Sequence, residues 1–134
     1  MWLNSTAQMG LRAVVHLARQ APDVLTPVEA VAEALDLPRN YLSKTLATLR
    51  RAGVLHSGRG PTGGFRLARP AADITLADVV APFARPGNHR CLLGRAECRD
   101  DNPCPAHHNW SVVAATVERY LSGTTVADIV STKP

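Results

Sequence analysis

The run Gly58–Gly64, GRGPTGG, constrains this chain more than any other stretch. Four glycines and a proline within seven residues are incompatible with a helix interior, and they are the residues that tight turns require. On either side lie the strand-like runs Val54-Leu55-His56-Ser57 and Phe65-Arg66-Leu67-Ala68, so a β-hairpin is expected here. The chain before it is helical in pattern. Ala7, Leu11, Val14 and Ala18 recur at three- and four-residue steps, which predicts a helix over Ser5–Gln20 capped by Ser5 and stopped by Pro22. Thr26–Leu35 reads as a second helix, with Thr26 as cap, Pro27 as its first residue and Glu29 completing a capping box. Asp36-Leu37-Pro38 forces a short turn, because Pro38 lacks an amide hydrogen and restricts Leu37. A third helix is expected over Arg39–Ala52, with Leu42, Thr45, Leu46 and Leu49 inward and Gly53 ending it.

Two helices joined by a short turn, the second polar and basic on its open face, form the helix-turn-helix pattern. An ordinary helical hairpin with a solvated face shares that pattern. The hairpin that follows tips the balance, because a β-hairpin after a recognition helix is a wing. Arg59 at its tip suits a narrow minor groove, and the glycines let backbone approach another surface. Lys44, Arg50, Arg51, Arg59 and Arg66 are the expected phosphate-contacting cations. Residues 1–70 hold nine Lys/Arg and four Asp/Glu, a balance of +5, whereas residues 71–134 hold six and seven, a balance of −1. The basic part therefore points to a polyanion, double-stranded DNA. The glycine loop is not a nucleotide-binding loop: no G-K-[ST] follows, and it joins strand to strand.

After the connector Pro70–Asp73, a short helix is expected over Thr75–Phe83, with Thr75 capped by Asp78. A longer helix follows over His107–Ser122. Its stripe of Trp110, Val113, Ala114, Val117, Tyr120 and Leu121 is wider than one small domain needs, which suggests a dimer surface. Thr125–Val130 starts another T-x-x-D turn. Residues 1–70 are thus read as the winged helix-turn-helix domain, and residues 71–134 as a cysteine loop (89–108) with dimerisation helices.

All three cysteines lie within His89–Trp110, spaced C-x6-C-x5-C-x2-H-H at Cys91, Cys98, Cys104, His107 and His108. Gly, Asn, Pro and charged residues separate them, so the stretch is a loop. Three thiolates and one imidazole can complete the four ligands of a metal or iron–sulfur site. A structural disulfide would leave one thiol over, and no signal peptide directs the chain to an oxidising compartment. Zinc is a rival, although structural zinc sites usually draw on close C-x2-C pairs. A metal-free thiol switch is another, with Arg90, Arg95 and Arg99 near enough to lower a thiol pKa. Asp100-Asp101 reads as a solvated charge pair. On a helix start the rings of His107 and His108 point about 100° apart, so one of them faces the loop.

No apolar run approaches the 18 residues of a membrane span, and the start MWLNSTAQMG lacks a basic segment followed by an apolar one. A cytoplasmic protein with no membrane association is expected. No Ser/His/Asp order, phosphate loop or paired carboxylates mark an enzyme or a small-molecule substrate site.

With wing and cysteine loop placed, the chain resembles the iron–sulfur winged-helix transcription regulators that include IscR and NsrR, over essentially its full length. MWLNSTAQMGLRAVVHLA resembles the family's first helix, RNYLSKTLATLRRAGVL its recognition helix, RGPTGGFRLARP its wing, and ITLADVV with the three-cysteine loop its C-terminal part. The implied fold is mainly α with a small β-hairpin: a winged helix-turn-helix, a cluster-binding loop and a long dimerisation helix. The implied function is a homodimeric regulator, a repressor by analogy, binding a near-palindromic operator with an affinity set by cluster state. Cys91, Cys98 and Cys104 would hold the cluster, with His107 as in the IscR-like branch. An imidazole ligand favours 2Fe–2S, with 4Fe–4S the alternative. Where the nitric-oxide-sensing branch can use an acidic residue near the N-terminus, this chain has Gln8, a poor iron ligand. Arg39, Asn40, Tyr41, Ser43, Lys44, Arg50 and Arg51 on the recognition helix would contact DNA, with Asn40, Tyr41, Ser43 and Lys44 in the major groove. Arg59, Gly60, Gly63 and Gly64 of the wing would contact it at the minor groove.

Overall fold

The computed structural model describes residues 3–84 and 91–133. His89 and Arg90, the start of the expected cysteine loop, lie outside them. Six α-helices and one two-stranded antiparallel sheet follow in the order α1 Ser5–Ala18, α2 Val28–Leu35, α3 Arg39–Arg51, β1 Leu55–Gly58, β2 Gly64–Leu67, α4 Leu76–Val80, α5 His107–Gly123 and α6 Val126–Ser131. Short 3-10 turns cover Ala71–Asp73 and Ala81–Phe83.

The first helix is the hub: α2, α3, α4, α6 and β2 all pack on it. Its buried face is Ala7, Gly10, Ala13, Val14 and Leu17, rotated from the expected stripe so that Leu11 and Ala18 are only half-buried. Its cap is Asn4 rather than Ser5: the Asn4 Oδ1 accepts from the Ala7 N–H at 2.8 Å, and the Asn4 amide donates to the Phe83 carbonyl. The helix also ends two residues before Gln20, at Ala18.

The second helix departs from expectation in an instructive way. The Thr26 capping box does not form, and α2 starts at Val28 with no side-chain cap. Thr26 is instead buried and exchanges both backbone hydrogen bonds with Phe65, N–H to carbonyl at 2.9 Å each way. A one-residue bridge to the wing has displaced a local cap. The third helix behaves as its pattern predicts. Leu42, Leu46 and Leu49 are fully buried, each contributing about 1.5–3 kcal/mol of transfer free energy. Gly53, at φ 81°, ends that helix in the left-handed region that glycine tolerates.

The hairpin pairs Leu55 with Leu67, His56 with Arg66, Ser57 with Phe65 and Gly58 with Gly64, one residue later at its start and one earlier at its end than expected. Gly64 has φ 149°, and a Cβ there would sit 2.3 Å from the Thr26 carbonyl oxygen. Glycine is thus what allows strand β2 to lie against Thr26.

The C-terminal part folds back onto the head. Thr75 and Thr125 pair as an antiparallel bridge, and each caps its own helix in a capping box, with Asp78 and Asp128 respectively. One core holds Leu17, Leu46, Val54, Ile74, Val79 and Val126, so it runs across residue 70. Among the described residues, no helix is long and apolar enough to cross a membrane.

Candidate nucleic-acid interface and cysteine centre

The outer face of α3 presents Asn40, Tyr41, Lys44, Arg50 and Arg51 to solvent, with Ser43 half-buried between them. Tyr41 is 67% exposed, high for an aromatic ring in a protein with so few. The cations differ in how they are held. Arg39 is fixed to the Glu29 carboxylate at 2.7 Å, Arg50 reaches Ser57 Oγ at 3.4 Å, and Arg51 reaches Thr48 Oγ1 at 3.2 Å. The side chains of Lys44 and Arg59 make no hydrogen bond or ion pair among the described residues. At the wing tip Arg59 and Gly60 are exposed, and the Gly63 N–H donates to the Gly60 carbonyl at 2.9 Å, closing the turn. Arg66, expected among the phosphate contacts, is half-buried and donates to the Leu67 carbonyl. Arg69 is also structural, bonded to the Gly53 and Asp73 carbonyls and to Asp78. Helix and tip therefore offer one basic, partly unpartnered surface, with the extended cations that phosphate contacts need.

The cysteine segment is built from turns. The Gly94 N–H donates to the Cys91 carbonyl at 3.2 Å, and Arg99 and Asn102 exchange backbone hydrogen bonds across a tight reversal. Arg95 donates to the Asn102 side chain, and Arg99 pairs with Asp101. These reversals bring together thiols that are far apart in sequence. The three Sγ atoms all lie within 4.8 Å of one another, Cys91 and Cys104 at 3.9 Å. Cys104 is buried, and Cys91 and Cys98 are half-buried.

The helix α5 brings an imidazole beside these thiols. His107 is its first residue, its N–H on the Cys104 carbonyl, and its Nδ1 lies 3.1 Å from Cys98 Sγ. His108, beside it, is exposed and meets the His107 ring edge-on. The other ring nitrogen of His107, Nε2, lies 2.8 Å from Asp100 Oδ1. Asp100 is solvated, as expected of the Asp100-Asp101 pair, but it is also hydrogen-bonded to His107, which holds its carboxyl below the usual range. Sequence pattern missed Asp100, since only the reversal between Arg99 and Asn102 turns it toward a ring seven residues on.

The thiols are electrostatically unequal. Burial pushes Cys91 up, but the backbone N–H groups of Arg95 and Leu93 and the thiols of Cys98 and Cys104 outweigh it and bring it down to about 7. Cys98 receives a lowering backbone N–H from Cys104, yet burial and its two neighbouring thiols raise it. Three converging sulfurs, with an imidazole nitrogen beside one of them, are donor types that an iron–sulfur or zinc site uses. Gln8 is exposed on α1.

Comparison with known proteins agrees with this architecture. The sequence model of the Rrf2 family, described as iron-dependent transcriptional regulator, matches residues 3–132. A helix-turn-helix-type transcriptional regulator of Aquifex aeolicus is 34% identical, over 98% of this chain and 92% of its own. The regulator IscR of Vibrio atlanticus is 27% identical over 96% of this chain and 75% of its own. Among solved structures, T. potens IscR superposes with a TM-score of 0.77 at 26% identity, covering 96% of this chain and 85% of that one. The cysteine regulator CymR of B. subtilis shares the fold, with a TM-score of 0.82 over 98% of both chains at 24% identity. These relatives are named as regulators, not enzymes. With the winged helix and its basic face already in place, the match over nearly every residue is decisive: the chain belongs to the Rrf2 family and is a DNA-binding transcriptional regulator.

Proposed function

We propose that this regulator acts as a homodimeric repressor whose affinity for a near-palindromic operator is set by an iron–sulfur cluster held by Cys91, Cys98, Cys104 and His107. The observation that carries this reading is the convergence of three thiol sulfurs within 4.8 Å, with the His107 Nδ1 3.1 Å from one of them. The matching family is described as iron-dependent. A bound cluster, 2Fe–2S favoured by the imidazole donor, supplies a reversible change of charge and a reversible cross-link.

The chain's own residues do the rest. Asn40, Tyr41, Ser43 and Lys44 read base edges or phosphates in the major groove, while Arg39, Arg50 and Arg51 flank them. Arg59, on the turn of Gly60, Gly63 and Gly64, enters the minor groove. Of the stripe on α5, Val113 and Tyr120 are exposed, with Val112 beside them, as on a dimer helix before its partner covers it. Because His107 begins α5 and Cys98 and Cys104 precede it, the ligand set is continuous with that helix. Residues 71–134 thus transmit ligand occupancy to the spacing of the two heads, residues 1–70 of each copy. Such coupling requires two states that differ in DNA affinity.

One observation favours a second reading. Zinc–thiolate bonds of about 2.3 Å in a tetrahedron put sulfurs roughly 3.8 Å apart, close to the 3.9 Å between Cys91 and Cys104. A structural zinc ion would make the segment a brace rather than a sensor.

Iron, acid-labile sulfide and zinc measured on anaerobically purified protein separate the two. Iron and sulfide in near-equal amounts, with visible absorbance lost in Cys98→Ala, are expected. Operator affinity must then differ between cluster-bound and cluster-free protein; identical affinities in both would sink the switch. Zinc without sulfide would establish the brace.

A further inference from the structure

We infer that Asp100 is the positioning residue of this centre: it selects His107 over His108 and fixes which ring nitrogen faces the thiols. The inference deepens the reading of His107 as fourth ligand and rests on it. An imidazole carries one proton when neutral, and the nitrogen that keeps it is the one with an acceptor to receive it. The Asp100 carboxylate lies 2.8 Å from Nε2 and only accepts when ionised, so the proton resides on Nε2. The lone pair is then left on Nδ1, the atom 3.1 Å from Cys98 Sγ. The same carboxylate meets the ring's far edge; the His107 side chain is 12% exposed, while His108 stays in solvent.

The arrangement is carboxylate, histidine, metal-binding sulfur group in line. In such arrangements the outer carboxylate orients the ring and raises its basicity, and losing it typically weakens metal retention about 10- to 100-fold. Asp100 is itself solvent-exposed, so the low end of that range is expected here. A more basic imidazole also favours the oxidised metal centre, so removing the carboxylate moves the reduction potential upward. Asp101 is the built-in control: it has the same charge and is adjacent, but it is turned to Arg99.

Two readouts test this, one of them without metal. In reduced, metal-free protein labelled with nitrogen-15, above the imidazole titration range, His107 is expected as the Nε2–H tautomer. Asp100→Ala should give a mixture of tautomers, and Asp101→Ala the wild-type pattern. In anaerobically loaded protein, Asp100→Ala is expected to lose iron to a chelator about tenfold faster and to have a higher potential. Asp100→Asn, which keeps an acceptor oxygen but no charge, should restore most of the retention and little of the potential. In a His107→Cys background, Asp100→Ala should change neither. An Nδ1–H tautomer in the wild type, or iron loss and potential unaltered in Asp100→Ala, overturns the inference. A wild type that takes up zinc but no iron and sulfide overturns the cluster reading instead, and the tautomer result still decides the role of Asp100.

Discussion

The winged helix and the cysteine segment are neighbours in one short chain, yet they are held by different forces. In the head, Val14, Leu17, Val31, Leu42, Leu46 and Leu49 share one packed core, which Ile74 and Val79 extend beyond residue 70. Between Cys91 and Ala106 the only buried residue is Cys104, and Leu92 and Leu93 stand 55% and 59% exposed. Apolar burial folds the first, whereas the second is a chain of turns whose shared feature is three converging thiols. A metal or cluster bound by a segment with so little core would add to its order, because binding free energy then serves as folding free energy.

The largest test of that contrast is Leu46→Ala. It should cost the head about 2–5 kcal/mol, read by chemical denaturation, because Leu46 is fully buried at the centre of the core. Gly64→Ala comes next, at about 1–3 kcal/mol, since the new Cβ must displace the Thr26 carbonyl. Its DNA affinity should fall too, as the wing loses its seat.

Arg59→Ala should weaken duplex binding about tenfold, or ~1.4 kcal/mol, and reduce the slope of log affinity against log salt by about one. That loss should be the same with the centre loaded or stripped; a loss confined to one state would show that the head is not independent of the segment.

Asp78→Asn should cost about 1 kcal/mol through its cap. The Asp78 carboxyl is held below its ordinary range first by the Thr75 backbone N–H, then by the Thr75 hydroxyl and Arg69. A carboxyl depressed in the folded state contributes fully above its unfolded pKa, near 3.9, and progressively less as pH falls through the folded value. Wild-type stability should therefore be flat from neutrality to about pH 5 on this account and decline below, with a shallower decline in Asp78→Asn.

The smallest expected effect sharpens the comparison most. Cys98→Ala should abolish metal uptake yet change the unfolding free energy of the head by no more than about 0.5 kcal/mol. A larger change would mean that the segment braces the core.

Much of this molecule was legible in one dimension. Leu42, Thr45, Leu46 and Leu49 lie three or four apart on one face of α3 and are buried together. Thr75 with Asp78, and Thr125 with Asp128, form capping boxes as their spacing predicts. Gly53 ends α3, the glycine turn makes the wing, and the family resemblance holds over the chain. These features depend on residues within about one helical turn or one hairpin of each other, so periodicity and turn chemistry express them directly.

Tertiary structure decided what depends on distant partners. Thr26 has every local mark of a cap but is taken by Phe65, because a buried backbone pair outweighs an exposed side-chain cap. Arg66 looked like a DNA contact and turned inward; Asn4 displaced Ser5 by also reaching residue 83. The spacing of Cys91, Cys98, Cys104 and His107 announced a ligand set, but not which thiols would approach which, nor that Asp100 would meet the far side of the ring. A turn-rich loop has no period from which its path can be read. Its geometry is set by reversals such as Arg99 with Asn102, and only the folded chain brings their ends together.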